Sequence, residues 1–248
     1  MNPTKTHSDS RAGTRRSGRS RKKKVANRLL EHRLITRVSY EEYREKVRDL
    51  YDGPRGAMLA ACSLISLHSV LGDRLFRRRR FDLRGARKIL DVGSGAGQLA
   101  KHVLKYADAE AELTCFDLSH EMLRRARTRL KSARPRYVVA NVTHLPFPDA
   151  SFDLVTCGYI LEYLPDPRVG LAELGRVMLP GARMFLLTTE DSFSGAWNSR
   201  LWCCRTYNRH ELKQICQSVG LEWHKELWFT RMHKALRAGG ICVELLKR

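Results

Sequence analysis

Acidic side chains are scarce in this sequence: 26 Asp and Glu stand against 46 Lys and Arg in 248 residues, a formal net charge of +20. Metal-type cysteine spacing is missing too. The cysteines at 62, 115, 157, 203, 204, 216 and 242 form no CxxC pair and no Cys/His spacing suited to zinc, so no metal site is expected. Several sit in apolar runs, where a free thiol behaves as a small hydrophobe. The vicinal Cys203–Cys204 pair reads as two surface thiols, with a redox pair as the alternative. No apolar run reaches the ~20 residues of a membrane span. GAMLAACSLISLHSVLG (56–72) is shorter and contains three Ser and His68; it reads as a helix buried against the main domain. No signal peptide is evident, so the expected compartment is the reducing cytoplasm.

The positive charge is unevenly placed. Residues 1–28 carry ten Lys or Arg against Asp9, with no aromatic residue. A segment so poor in apolar side chains cannot offset its own ordering entropy, and residues 1–27 are expected to be a disordered basic tail. Residues 28–80 read as helical: Leu30, Leu34 and Val38 share a face, and Ser39 with Glu42 forms a capping box before YEEYREKVRDLY. Arg77 to Arg80, Arg84, Arg87 and Lys88 make a second basic cluster against Asp82, and RRARTRLKSARPR (124–136) a third.

From residue 88 the pattern changes. KILDV (88–92), ELTCFD (112–117), RYVVAN (136–141), FDLVTCGY (152–159) and RMFLLTT (183–189) read as strands separated by amphipathic helices. That alternation predicts a parallel sheet with helices on both faces, over residues 81–248. Leu99, Val103 and Tyr106 mark one helix face, and Met122, Ala126 and Leu130 another. Asn208, with Glu211 three residues on, opens a helix that Gly220 stops. LEWHKELWF and GGICVELLK then read as two neighbouring strands, an antiparallel edge at the C-terminus.

The chemistry gathers at strand ends. Gly93, Gly95 and Gly97 follow the first strand in the order GxGxG, not the GxGxxG of a dinucleotide turn. Asp91 stands two residues before the first glycine, where it would repel a pyrophosphate and attract a ligand carrying an amino group and a sulfonium. Asp117 ends the second strand, where an acid accepts both hydroxyls of a ribose. S-adenosyl-L-methionine has that combination of groups.

These residues resemble the class I S-adenosylmethionine-dependent methyltransferases, in particular the ubiquinone and menaquinone biosynthesis C-methyltransferase branch. The likeness covers residues 85–190 and extends more weakly to 224. ILDVGSGAG is similar to the family's first motif, FDLSHEMLRRAR to its second, and ANVTHLPFPDASFDLV is the most family-specific stretch. The resemblance implies a Rossmann-like, doubly wound, mostly parallel seven-stranded sheet. It implies a cofactor-binding set of Asp91, Gly93, Ser94, Gly95, Gly97, Asp117, Leu118, Met122, Asn141, Val142 and Tyr159, with Met122 next to the adenine. Asn141 stands where the family usually has Asp, and its amide oxygen accepts the same adenine hydrogen bond. Gly181–Ala182 departs from a frequent glycine pair.

The implied reaction is methyl transfer to a small-molecule or lipidic, quinone-like acceptor. Tyr159, Glu162, Tyr163 and His144 are the candidates near the fourth strand for a general base, and none is assigned that role. Phe193, Trp197 and Trp202 lie after the fifth strand, where such domains form part of the acceptor pocket. Two alternatives stay open: a nucleic-acid methyltransferase that uses the basic tail, and a non-catalytic cofactor-binding subunit. Residues 1–38 could likewise meet an anionic membrane.

Overall fold

The computed structural model of the protein describes residues 68–192, 205–236 and 240–248, and the single helical position Glu45. The basic tail, the expected helices before residue 68, and Phe193, Trp197, Trp202, Cys203 and Cys204 lie outside the described residues. The described elements are α1 (His68–Arg77), β1 (Lys88–Val92), α2 (Gln98–Tyr106), β2 (Glu112–Asp117), α3 (His120–Leu130), β3 (Arg136–Val139), β4 (Phe152–Gly158), a 3₁₀ turn (Leu161–Tyr163), α4 (Pro167–Val177), β5 (Met178–Thr188), α5 (Arg209–Ser218), β6 (Leu221–Leu227), α6 (Arg231–Leu236) and β7 (Ile241–Lys247).

The strands form one seven-stranded sheet in the order β3-β2-β1-β4-β5-β7-β6. β1 to β5 pair in parallel, while β7 is antiparallel to both β5 and β6. The antiparallel C-terminal edge is therefore present. The parallel strands are apolar on both faces, as a sheet covered on both sides requires. Leu90, Val92, Val155, Cys157, Met184 and Leu186 face one buried cluster, which Leu171 and Leu174 of α4 and Leu212 and Cys216 of α5 complete. Ile89, Leu154, Phe185 and Leu187 face the other, with Leu75 and Phe76 of α1, Ala100 and Val103 of α2, and Leu123 of α3.

The observed bounds differ from the expected ones at several strand ends, and two differences have a clear cause in the pairing. β3 stops at Val139 because Asn141 leaves the ladder to bridge His144. β5 begins at Met178 rather than Arg183, because Met178 pairs with Phe152 across a register shift that the hydrophobic pattern does not reveal. The expected cap Asn208 accepts a first-turn N–H, and Ser119 and Asp166 do the same for α3 and α4.

Phe185, 1% exposed, joins the sheet to the segment before β1, with ring centroids 5.2 Å from Phe76 and 5.3 Å from Phe81. Truncating a buried Phe costs roughly 3–5 kcal/mol. Phe185→Ala is expected to lower the unfolding free energy by that amount in urea titration, with the denaturant slope unchanged.

Candidate functional site

The strand order reverses between β1 and β4, and in an open α/β sheet the ligand crevice lies beyond the strand ends at that reversal. Asp91 stands near the end of β1, with Gly93, Ser94, Gly95 and Gly97 just after it; Asp117 ends β2, with Leu118 and Met122 beyond; Asn141 and Val142 follow β3, and Tyr159 follows β4. The fold thus brings the whole sequence-predicted set to one edge of four adjacent strands.

Their roles within that edge differ. The Ser94 hydroxyl donates to Asp91 O at 2.9 Å and accepts from Phe116 N–H at 3.2 Å, and Ser94 N–H donates to Phe116 O at 2.9 Å. Ser94 is 3% exposed, so it fastens the turn to β2 rather than presenting a free hydroxyl. The three glycines all have positive φ. A Cβ on Gly93 would collide with Ile160, and one on Gly97 would press on Leu130 at 3.1 Å. A Cβ on Gly95 would meet only Gln98 Oε1, at 3.2 Å, and Gly93 O, at 3.9 Å. Gly93 and Gly97 therefore make room for protein packing, and Gly95 alone leaves its backbone open to a ligand.

Asp117 closes the other side of the turn. Its Oδ2 accepts Gly95 N–H at 2.8 Å and its Oδ1 accepts Ser119 N–H at 2.9 Å. An ionised carboxylate is an acceptor-only group, so Asp117 presents acceptor oxygens at this corner. Met122 is 4% exposed and Leu118 half-buried beside it. Asn141 Oδ1 accepts Thr143 N–H at 3.1 Å, and Val142 packs into the core.

Asp91 is more enclosed than its spacing implies: it is fully buried, and its Oδ1 accepts the Thr156 hydroxyl at 2.6 Å. Asp91 and Thr156 are register partners on β1 and β4, a pairing the sequence alone does not show. The second oxygen, Oδ2, is buried with no hydrogen-bond partner among the described residues. Burial raises the Asp91 carboxyl to about 6; the Thr156 and Ser94 contacts oppose this, and the nearby Asp117 adds to it. An unsatisfied buried acceptor is costly, so a donor cation brought to it gains both a hydrogen bond and a charge partner.

Beyond β4, Tyr159 holds φ 56, uncommon for a non-glycine residue, and its N–H bonds Leu187 O at 2.8 Å. Ile160 covers Gly93. Glu162 is buried, and its Oε1 accepts Thr189 N–H at 2.6 Å, which ties the 3₁₀ turn to the end of β5. Burial raises its pKa. Tyr207 adds a second tie, donating its hydroxyl to Leu161 O at 2.6 Å. His144 is exposed with Nδ1 3.2 Å from the Thr143 hydroxyl. Farther along the same edge, Arg209 pairs with Glu190 through two bonds of 2.7 and 2.9 Å and lies 4.2 Å from the Trp228 ring centroid. Sequence reasoning missed this group, because its members come from three separate segments. No group of three or more His, Cys, Asp or Glu among the described residues is placed to hold a metal ion.

The raised Asp91 pKa has a defined consequence for stability. The folded state holds this proton more tightly than the unfolded chain, so the group's contribution is complete below about 4 and is lost as pH rises through about 6. The shift corresponds to a loss on the order of 3 kcal/mol. Urea titrations of the cofactor-free protein from pH 4 to 7.5 are expected to show this decline, and Asp91→Asn is expected to remove it.

Comparison with known proteins agrees with the geometry. The methyltransferase domain family matches residues 90–186, from β1 into β5. A ubiquinone/menaquinone biosynthesis C-methyltransferase of Cupriavidus pinatubonensis is 33% identical over 148 residues, 59% of each chain. A demethylmenaquinone methyltransferase of Deinococcus radiodurans is 36% identical over 131 residues, 52% of this chain and 53% of that one. The chain thus spans between half and three-fifths of the length of these relatives. Among solved structures, a methyltransferase from Haloferax volcanii in complex with the Trm112 activator superposes with a TM-score of 0.65 at 19% identity. That alignment covers 81% of this chain and 96% of the other, and it shows the shared fold. Residues 90–186 of the chain are thus similar to the methyltransferase domain family, on a fold shared with solved methyltransferase structures.

Proposed function

We propose that this protein transfers a methyl group from S-adenosyl-L-methionine to a small-molecule or lipidic acceptor of quinone-like type. The observation that carries the reading is the Gly95 turn: an open backbone, bonded to Asp117, at the strand reversal and beside a buried acid with a free oxygen. Asp117 would hold the ribose hydroxyls, and Asp91 Oδ2 would receive the ammonium of the amino-acid part. Asn141 would accept from the adenine amino group, with Met122 and Leu118 against the ring. Ile160 and the 3₁₀ turn would keep water from the reacting atoms.

Bound S-adenosylmethionine supplies a methyl group on a sulfonium that is already a good leaving group. The chain's task is then alignment, which is worth up to ~7–11 kcal/mol of barrier. Glu162, within the 3₁₀ turn, accepts Thr189 N–H, so it serves the shape of the acceptor side in this proposal. The acceptor class rests on the two relatives, whose names describe work on quinones. Phe193, Trp197 and Trp202 fit a planar or lipidic acceptor, and a basic tail before a helical segment suits a protein that works next to a membrane. The division into a tail (1–27), a helical segment (28–80) and a methyltransferase domain (81–248) belongs to the same proposal.

Two results test this reading. Methyl-labelled cofactor, the purified protein and a lysate separated into lipid, small-molecule, nucleic-acid and protein fractions should give label in the lipid or small-molecule fraction. Label confined to nucleic acid or protein would overturn the acceptor class, and label nowhere would overturn the activity. If the ammonium pairs with ionised Asp91, cofactor affinity should rise with pH through about 6, because binding must release the Asp91 proton below that value. An affinity independent of pH from 5 to 7.5 would remove Asp91 from the ligand's contacts.

A further inference from the structure

A basic surface lies apart from the cofactor crevice, formed by the end of α1 and the segment around α6. Arg77, Arg78 and Arg79 are exposed where α1 ends. The next residue, Arg80, donates through Nη1 to Trp228 O at 2.7 Å, and Lys225 Nζ donates to Arg80 O at 3.2 Å. These two bonds join chain segments nearly 150 residues apart and hold the arginine turn against the end of β6. Just beyond, Arg231 and Lys234 are exposed on α6, and Met232 is 65% exposed between them. Among the described residues, Arg78, Arg79, Arg231 and Lys234 form no ion pair within 4.0 Å. Met232 is the most exposed large hydrophobic residue described.

We propose that this surface docks the protein on an anionic lipid bilayer, with the arginines on the headgroups and Met232 entering the acyl boundary. Charge complementarity supplies the attraction, since Lys and Arg side chains near an anionic leaflet are drawn to its headgroups. The apolar component distinguishes a bilayer from a nucleic acid. A single-stranded nucleic acid needs open aromatic faces for its bases. No exposed aromatic residue lies on this surface among the described residues, and Trp228 is covered by Arg209 at 4.2 Å. An exposed thioether flanked on α6 by Arg231 and Lys234 instead matches the pattern of interfacial segments, apolar tip inward and positive charge at the headgroups.

The topology relates this surface to the crevice. β6 is antiparallel to β7 and β7 to β5, so β6 runs in the same direction as β1. Its C-terminal end therefore opens on the same edge of the sheet as the Gly95 turn, four strand spacings or about 19 Å along the order β1-β4-β5-β7-β6. Docking through α6 would bring the crevice edge toward the bilayer. The proposal stands on the surface alone and does not depend on the identity of the methyl acceptor.

The test uses the full chain and sedimentation with vesicles of phosphatidylcholine, alone or mixed with phosphatidylglycerol. Wild type should bind the mixed vesicles and not the neutral ones. The triple variant Arg78→Glu, Arg79→Glu, Arg231→Glu should bind roughly tenfold more weakly or worse. A matched variant, Lys101→Glu, Arg127→Glu, Lys213→Glu, makes the same charge change at exposed positions elsewhere and should bind as wild type. Met232→Ser should weaken the binding that survives high salt. Circular dichroism and melting temperature check that each variant is folded. Equal weakening by the two triple variants would reduce the effect to net charge and overturn the proposal. It would also be overturned if the first triple variant kept full vesicle binding, or lost affinity for a single-stranded RNA while keeping it for vesicles.

Discussion

The site depends on how the end of β1 is tied to the end of β2. Ser94 exchanges backbone and side-chain hydrogen bonds with Phe116, and one residue further on Asp117 accepts the Gly95 N–H. Parallel strands carry no hairpin to fix their ends, so the positions of the two turns are otherwise set only by the ladder between them. These bonds convert two loops into one rigid corner. The same Asp117 accepts Ser119 N–H, and Ser119 in turn caps α3, so the corner also sets where that helix starts. A ligand meeting Gly95 and Asp117 meets a surface arranged in advance, which lowers the ordering cost of binding.

A second constraint is electrostatic. Asp91 lies fully buried with one oxygen bonded to Thr156 and the other without a hydrogen-bond partner among the described residues, and burial raises its pKa. Such a group opposes folding at neutral pH and is tolerated where a function uses it. Asp91 and Thr156 point to the face of the sheet that α1, α2 and α3 cover, while α4 and α5 fill the other face with apolar side chains.

Much of this was legible in the sequence because local chemistry and fold agree. The five parallel strands announce themselves as short apolar runs, and the glycines and two acids fall at their ends. The details that escaped depend on register. Thr156 becomes the partner of Asp91 only when β1 and β4 align, and Glu190, Arg209 and Trp228 converge only when β5, α5 and β6 are assembled. The glycine spacing could not show that Gly93 and Gly97 accommodate Ile160 and Leu130 while Gly95 stays open. Nor could the arginine run at 77–80 announce its contact with residues 225–228, since no local pattern links them.

The central claim is that the Gly95–Asp117 corner is the S-adenosylmethionine site. Calorimetric titration of S-adenosylmethionine into wild type and into Asp117→Ala, with circular dichroism to confirm that both are folded, tests it most directly. The account predicts saturable binding by wild type and an affinity reduced at least roughly tenfold in the variant, the loss expected when charged hydrogen bonds to the ligand are removed. Equal affinity in the two proteins would contradict it.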